Sequence, residues 1–245
     1  MNRFFVGKIG QKDKFIIIID HAQLHHLRDV LRVKPREEVA VFDGSGNEYI
    51  AAVTEIAPGA AKLEIKEKRP ANEPGVKITV ACAIPKNVKM DDIVDKLTQL
   101  GVQRLIPLQT ERVIVKLDKQ KKAERLLRWQ KIALSAAKQS RRSRLLEIDP
   151  ITEFKDAVLA GSGFDLKLIL TLEGQRKYLK DIFNDFSGKI EKVMLLIGPE
   201  GDFTADEVAL AKESGFLPVS LGSQVLRVDT AAIAAVSFIK LNEEH

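Results

Sequence analysis

Val193-Met194-Leu195-Leu196-Ile197-Gly198-Pro199-Glu200-Gly201-Asp202-Phe203 is the stretch on which the reading of the fold turns. Its five successive apolar residues predict a strand buried on both faces of a sheet. Gly198 and Gly201 open backbone conformations that side chains forbid, and Pro199 stiffens the turn between them. Thr204, with Glu207 three residues on, has the spacing of a helix capping box. Strand, glycine turn and helix start, in that order, make a ligand ledge at the carboxyl edge of an α/β sheet. The same arrangement recurs downstream. Residues 217–221 read as a short strand stopped by Gly222, and a loop carrying Arg227 leads into a helix of small residues, Thr230-Ala231-Ala232-Ile233-Ala234-Ala235. Two such turns close in sequence can serve one ligand, although each alone also reads as an ordinary strand-to-helix turn.

The region before this stretch alternates strands and helices from Val76 onward, the pattern of a parallel α/β sheet. Residues 77–84 form the first expected strand. A helix follows with Met90, Ile93, Val94 and Leu97 on one face and ends at Gly101. Residues 104–108 form a second strand, where Pro107 predicts an edge or an irregular end. A long helix over 119–138 turns Leu126, Trp129, Ile132 and Ala133 inward. A strand over 166–172 ends at Thr171-Leu172-Glu173-Gly174, a third loop at the same edge. No Gly-x-Gly-x-x-Gly is present, which argues against an ordinary dinucleotide site.

Residues 1–72 read differently. Short strands are expected at 3–6, 15–19, 39–42, 49–53 and 63–66, with hairpin turn chemistry at Asp43-Gly44-Ser45-Gly46-Asn47 and at Pro58-Gly59. One helix, capped by Asp20, places Leu24, Leu27, Val30 and Leu31 on one face. Strands with tight turns and one helix predict a small β-barrel. The proline-rich segment 69–75 reads as the linker, dividing the chain into domains at 1–72 and 73–245.

Composition sets outer limits. The chain has 245 residues, 45% of them hydrophobic and 30% charged, which is globular and long enough to bury a core. Its apolar runs are far shorter than a membrane span, and no basic-then-apolar signal pattern opens it, so no membrane and a cytoplasmic setting are expected. Cys82 is the only cysteine, which excludes an intrachain disulfide and a cysteine-based metal site; no metal is expected. Net charge is +5, but residues 111–144 hold twelve Lys or Arg against three acids, so the rest of the chain is net acidic. Charge concentrated in this way favours a local polyanion contact, with Arg141, Arg142 and Arg144 at its centre; a solvated helix face with favourable carboxyl-end charges is the rival reading for the helical part.

Gly198-Pro199-Glu200-Gly201, then Leu221-Gly222, then Leu226-Arg227-x-Asp229-Thr230-Ala231 resembles the SPOUT class of S-adenosylmethionine-dependent RNA methyltransferases. More narrowly it is similar to the bacterial small-subunit ribosomal RNA methyltransferase E family, which methylates ring nitrogen 3 of a uridine in 16S RNA. Further matching segments are Arg3-Phe4-Phe5-Val6, His26-Leu27-x-x-Val30-Leu31-Arg32, Glu111-Arg112 with Lys116, and Ala136-Ala137-Lys138-Gln139-Ser140. The chain departs from the family pattern where Asp202 replaces a glycine, Val228 a threonine, Asp229 a glutamate and Arg141 a glycine.

The resemblance implies a trefoil-knotted parallel sheet domain behind a PUA-like RNA-binding barrel, and a homodimer whose interface adjoins the cofactor pocket. It implies S-adenosylmethionine held by Thr171, Leu172, Ile197, Gly198, Pro199, Glu200, Gly201, Leu221, Gly222, Val225, Leu226, Thr230 and Ala231. It also implies 16S RNA, within the small ribosomal subunit, gripped by Arg3, Arg32, Arg112, Lys116, Arg141, Arg142 and Arg144. Uracil nitrogen 3 must lose a proton to act as a nucleophile, so the site needs a base or a cation that steadies the anion. Glu200 and Asp229 are candidate bases, though Glu200 could instead brace its loop and Asp229 serve as a first-turn acid. Arg227 is expected to stabilise negative charge or hold a phosphate, with a salt bridge to Asp229 or Glu200 as the rival. Two rival functions stand beside this reading: a SPOUT enzyme acting on another position such as a ribose hydroxyl, and a non-catalytic RNA-binding or ribosome-assembly module.

Overall fold

The structure is a computed structural model, and residues 1–10, 13–70, 75–85, 89–112 and 118–242 are described. The chain clusters into two compact units, one of residues 1–73 with 137–145, the other of 74–136 with 146–245. In the amino-terminal unit the elements are β1 (Arg3–Phe5), β2 (Phe15–Ile18), α1 (His21–His25), β3 (Glu38–Phe42), β4 (Asn47–Ala57) and β5 (Ala60–Pro70). They form one curled sheet in the order β1-β3-β4-β5-β2, with β1 parallel to β3 and the other pairs antiparallel. Its core joins Phe4, Ile16, Ile18, Val39, Val41, Val53 and Leu63. The two edge strands do not pair with each other. Instead, the buried Gln23 of α1 lies along β1, its amide oxygen accepting from Phe5 N at 2.8 Å and its amide nitrogen donating to Phe5 O. A side chain thus satisfies backbone groups that a neighbouring strand would otherwise have to pair.

The expected helix face holds for Leu24 and Leu27 but fails at Val30, which is 57% exposed. The cause is local: α1 passes directly into a π-helical turn over His26–Val30. Its wider i→i+5 bonding takes Val30 out of the 3-4 phase, while Leu31 stays partly buried against the core. Arg32 closes the segment in a left-handed conformation, φ 51°.

The second unit holds β6 (Lys77–Ala83), α2 (Lys89–Gln99), β7 (Arg104–Gln109), α3 (Lys119–Gln139), β8 (Glu147–Ile148), β9 (Thr152–Glu153), α4 (Phe154–Leu159), β10 (Leu166–Leu170), β11 (Lys177–Tyr178), α5 (Leu179–Asp185), β12 (Lys192–Ile197), α6 (Ala205–Glu213), β13 (Leu217–Ser220) and α7 (Val228–Asn242). The last turn of α3 belongs to the amino-terminal unit. The sheet runs β11-β13-β10-β12-β6-β7-β8 and every pairing in it is parallel. Along β12, Val193, Leu195 and Ile197 enter one core while Met194 and Leu196 enter another, so both faces are covered. The alternation of side chains along a strand sends successive residues to opposite layers.

Pro107 shapes the far edge of this sheet. β8 pairs with Arg104 and Leu105, β9 with Leu108 and Gln109, and the residues between are left to neither. Proline has no N–H to offer, so the edge is covered in two short pieces. The small residues of α7 bury Ala231, Ala232 and Ala235 within the chain, where the helix packs on α2 and β6.

Candidate functional site

Strand order decides where the site lies. β10 is flanked by β12 and β13, with Leu170 in register with Ile197 on one side and with Val219 on the other. The loops after these three strands therefore leave the sheet side by side. They enclose a cavity of about 510 Å³, within the ~300–1,000 Å³ usual for small-molecule sites.

Of the residues expected to hold the cofactor, Thr171, Leu172, Ile197, Gly198, Pro199, Glu200, Leu221, Gly222, Val225, Leu226 and Ala231 line this cavity. Gly201 and Thr230 do not. Gly201 is exposed, and its carbonyl accepts from Arg112 Nη1 at 2.6 Å. Thr230 lies in the first turn of α7, exposed. The apolar shelf comes from Leu170, Ile197, Val219 and Val228, and the acids from Glu200 and Asp202. Gly222, at φ 145°, opens the loop after β13 where no side chain would fit without strain.

Further wall residues include Arg176 and Tyr178, which the sequence does not single out, and Asp202, whose carboxylate the sequence places beside the pocket at the family's glycine position. The first two come from β11 and the loop before it, a strand too short to carry a periodic signal. Arg176 Nη1 donates to Thr171 O at 3.1 Å. Asp202 is the most connected of the three. Its Oδ2 accepts from Thr171 Oγ1 at 2.9 Å and from Leu172 N at 2.6 Å, and its Oδ1 accepts from Phe203 N at 2.8 Å. It holds these contacts from a left-handed backbone, φ 61°. The carboxylate thus ties the β12 loop to the β10 loop.

Among the expected catalytic residues, only Glu200 lines the cavity. Asp229 is a first-turn acid of α7, with Oδ1 buried and without a hydrogen-bond partner among the described residues. Both carboxylates act on Cys82, at the carboxyl end of β6. Burial chiefly, then the charges of Glu200 and Asp229, push its thiol up to about 12. Arg227 is exposed and outside the cavity lining, with its carbonyl accepting from Ala231 N at 2.8 Å.

The expected RNA-contacting arginines divide. Arg32, Arg141 and Arg144 are exposed. Arg142 is buried at 9% exposure, a departure from the basic loop expected there. Arg3 is also committed internally. It donates to Glu48 Oε2 at 2.7 Å, to Arg142 O at 3.1 Å and to Ser143 Oγ at 2.7 Å, and its guanidinium lies 4.2 Å from the Phe42 ring centre. Arg112 braces Gly201 O and Phe203 O. Arginine's planar fork suits such multiple bonding, which explains why residues expected to meet phosphate meet carbonyls instead. Lys116 lies outside the described residues.

A family model described as an RNA methyltransferase domain matches residues 72–240, and one described as an RNA methyltransferase PUA domain matches residues 18–66. The ribosomal RNA small subunit methyltransferase E of Synechocystis is 33% identical, covering 91% of this chain and 72% of its own length. That of Mesomycoplasma hyopneumoniae is 32% identical, covering 95% of this chain and 96% of its own. The crystal structure of the Neisseria gonorrhoeae protein of that name, bound to S-adenosyl methionine, superposes with a TM-score of 0.83 at 30% identity, covering 99% of this chain and 98% of that one.

Proposed function

We infer the activity from one premise: the chain belongs to the RNA methyltransferase family whose curated relatives are the ribosomal RNA small subunit methyltransferases E. The reading is an S-adenosylmethionine-dependent methyltransferase of 16S ribosomal RNA. Its position of attack is ring nitrogen 3 of a uridine. The observation that carries it is the convergence of the β10, β12 and β13 loops on one cavity with an apolar shelf and two carboxylates. That lining suits a purine nucleoside on the shelf and a cationic sulfonium near the acids. When bound, S-adenosylmethionine supplies an activated methyl group, so the protein's task is placement.

The chain's own residues supply the rest. Glu200 stands on the cavity wall and takes the proton that uracil nitrogen 3 must shed. Arg227, exposed ahead of α7, steadies the negative charge on the uracil. Asp229 holds the start of α7 as a first-turn acid. Arg32, Arg141 and Arg144 contact RNA phosphates, with Arg3 fixing the segment that carries the last two. The division of labour follows the two units, RNA grip in the first and transfer in the second. The proposal extends to a knotted carboxyl-terminal path, a cytoplasmic setting and a homodimer. Val225 at 74% and Leu172 at 52% exposure leave apolar surface at the cavity for a second copy.

The test is transfer of labelled methyl from S-adenosylmethionine into small ribosomal subunits that lack the modification, followed by nucleoside analysis. The expected product is 3-methyluridine. A 2′-O-methylated nucleoside would move the reading to another position, and no transfer with intact RNA binding would leave a binding module. In the same assay Glu200→Gln is expected to lower kcat by about 10²-fold or more.

A further inference from the structure

We propose that Asp202 is a positioning residue for the cofactor, its carboxylate serving as a staple that holds the β10 and β12 loops at the spacing the cavity needs. The inference rests on the reading of that cavity as the S-adenosylmethionine site. Three observations carry it.

The first is connectivity. One carboxylate oxygen receives both the Thr171 hydroxyl and the Leu172 amide, 31 and 30 residues away in sequence. The other oxygen receives the amide of Phe203, so the same side chain also fixes the start of the turn into α6. Thr171 is buried at 5% exposure, and its hydroxyl oxygen accepts in turn from Glu173 N at 3.1 Å. Donor and acceptor capacity of that hydroxyl are both used, which orients the loop through Leu172 and Glu173.

The second is conformation. Asp202 stands at φ 61°, where glycine carries no penalty and a residue with a side chain costs about 1 kcal/mol or more. Among such residues aspartate and asparagine are the least disfavoured. Glycine would relieve the backbone but could make none of the three side-chain contacts.

The third is bracing on the other flank. Arg112 Nη1 donates to Gly201 O and Phe203 O, the residues on either side of Asp202, and Arg176 Nη1 donates to Thr171 O. The two loops are thus fixed to each other by Asp202 and each separately by an arginine. Among the described side-chain hydrogen bonds, those of Asp202 relate one loop to the other.

A staple of this kind acts on binding more than on the chemical step. Charge-assisted hydrogen bonds to a carboxylate are among the stronger ones. Losing them lets the loops part in the free protein, and cofactor binding must then supply the order. The experiment measures S-adenosylhomocysteine affinity by calorimetry, and KM for S-adenosylmethionine against kcat, for the full chain and for Asp202→Gly, Asp202→Asn, Thr171→Val and the Asp202→Gly/Thr171→Val double variant. Asp202→Gly is expected to weaken cofactor binding on the order of tenfold even though its backbone is relaxed, with kcat at saturating cofactor within about twofold. Asp202→Asn, which can still accept from Thr171 and Leu172 and tolerates the same φ, is expected to recover most of the affinity. Thr171→Val is expected to weaken binding in the wild-type background and to add little on top of Asp202→Gly.

Unchanged or tighter cofactor binding in Asp202→Gly, or full additivity in the double variant, would overturn the staple. The same holds if kcat falls and affinity does not. Failure of the unaltered chain to bind S-adenosylhomocysteine would instead remove the cofactor reading, so the two failures are distinguishable.

Discussion

The thiol of Cys82 shows how much one residue's surroundings decide. It stands one residue before the end of β6, in register with Ile197 and fully buried, and burial with the charges of Glu200 and Asp229 pushes it up to about 12. A thiol-reactive chromogen should therefore label the native chain very slowly at pH 8 and label one equivalent after unfolding. The sign of its pH linkage follows. The folded state keeps the proton that the unfolded state releases above the ordinary thiol value, so this contribution is present below that value and lost as pH rises toward about 12. Denaturant titrations from pH 7 to 10 should show stability falling, and less steeply in Cys82→Ala. Arg112 makes a second test at the same scale. Arg112→Ala removes both donors to the Gly201 and Phe203 carbonyls and should raise the KM for S-adenosylmethionine several-fold at unchanged protein stability, since the side chain is exposed. Steady-state kinetics with varied cofactor checks it. Neither role could be read from sequence. Arg112 and Gly201 are 89 positions apart, and in sequence Arg112 reads with Lys116 as part of a basic RNA-facing run.

Elements were more legible where local chemistry alone decides them. The Thr204–Glu207 capping box is present on both sides, Thr204 Oγ1 accepting from Glu207 N at 3.2 Å and Glu207 Oε2 from Thr204 N at 2.9 Å. Glu207 does more than the motif requires, because its other oxygen accepts from Glu111 N at 3.0 Å. Thr204→Ala should cost about 1 kcal/mol, as for a lost cap, whereas Glu207→Ala should cost about 2 kcal/mol or more by leaving two backbone donors unmet at a buried site. Chemical denaturation of the two variants ranks them, and equal losses would show that the Glu111 bond contributes nothing. The β12 run and the amphipathic faces of α2 and α3 are readable because burial marks the sequence, as an unbroken apolar run where both faces are covered and as a period where one is. β8, β9 and β11, two residues each, leave no period, and the π-helical turn after α1 breaks the period that was read there. The order β13-β10-β12-β6 is a non-local pairing that apolar runs cannot specify, yet it is what brings three loops to one cavity.

For the whole molecule, the division into units is not a single cut in the chain. Residues 137–145 cluster with the amino-terminal sheet although the helix leading to them begins in the other unit. The sequence reads 69–75 as a proline-rich linker, of which 69 and 70 fall in β5 and 71–74 lie outside the described residues, whereas nothing local marks the return of a distant segment. The return is held by Arg3, which is 12% exposed at its side chain against 25% for Glu48, and by the backbone bond from Leu145 N to Gly44 O at 3.0 Å, while Arg142 N donates within the segment to Ala137 O at 2.9 Å. Arg3→Ala removes the donors to Glu48, Arg142 O and Ser143 Oγ together and leaves the Glu48 carboxylate without its partner. The expected cost is about 1–3 kcal/mol, concentrated in this segment. Hydrogen exchange should show it directly: the amides of Arg142 and Leu145 should lose protection by roughly tenfold or more while those of β12 keep theirs. If Arg141 and Arg144 contact phosphate from this segment, the same variant should bind RNA more weakly at low salt, with a smaller slope of affinity against salt. Faster exchange with an unchanged salt slope would separate the two claims, keeping Arg3 as the clamp and moving the phosphate contact elsewhere on the chain.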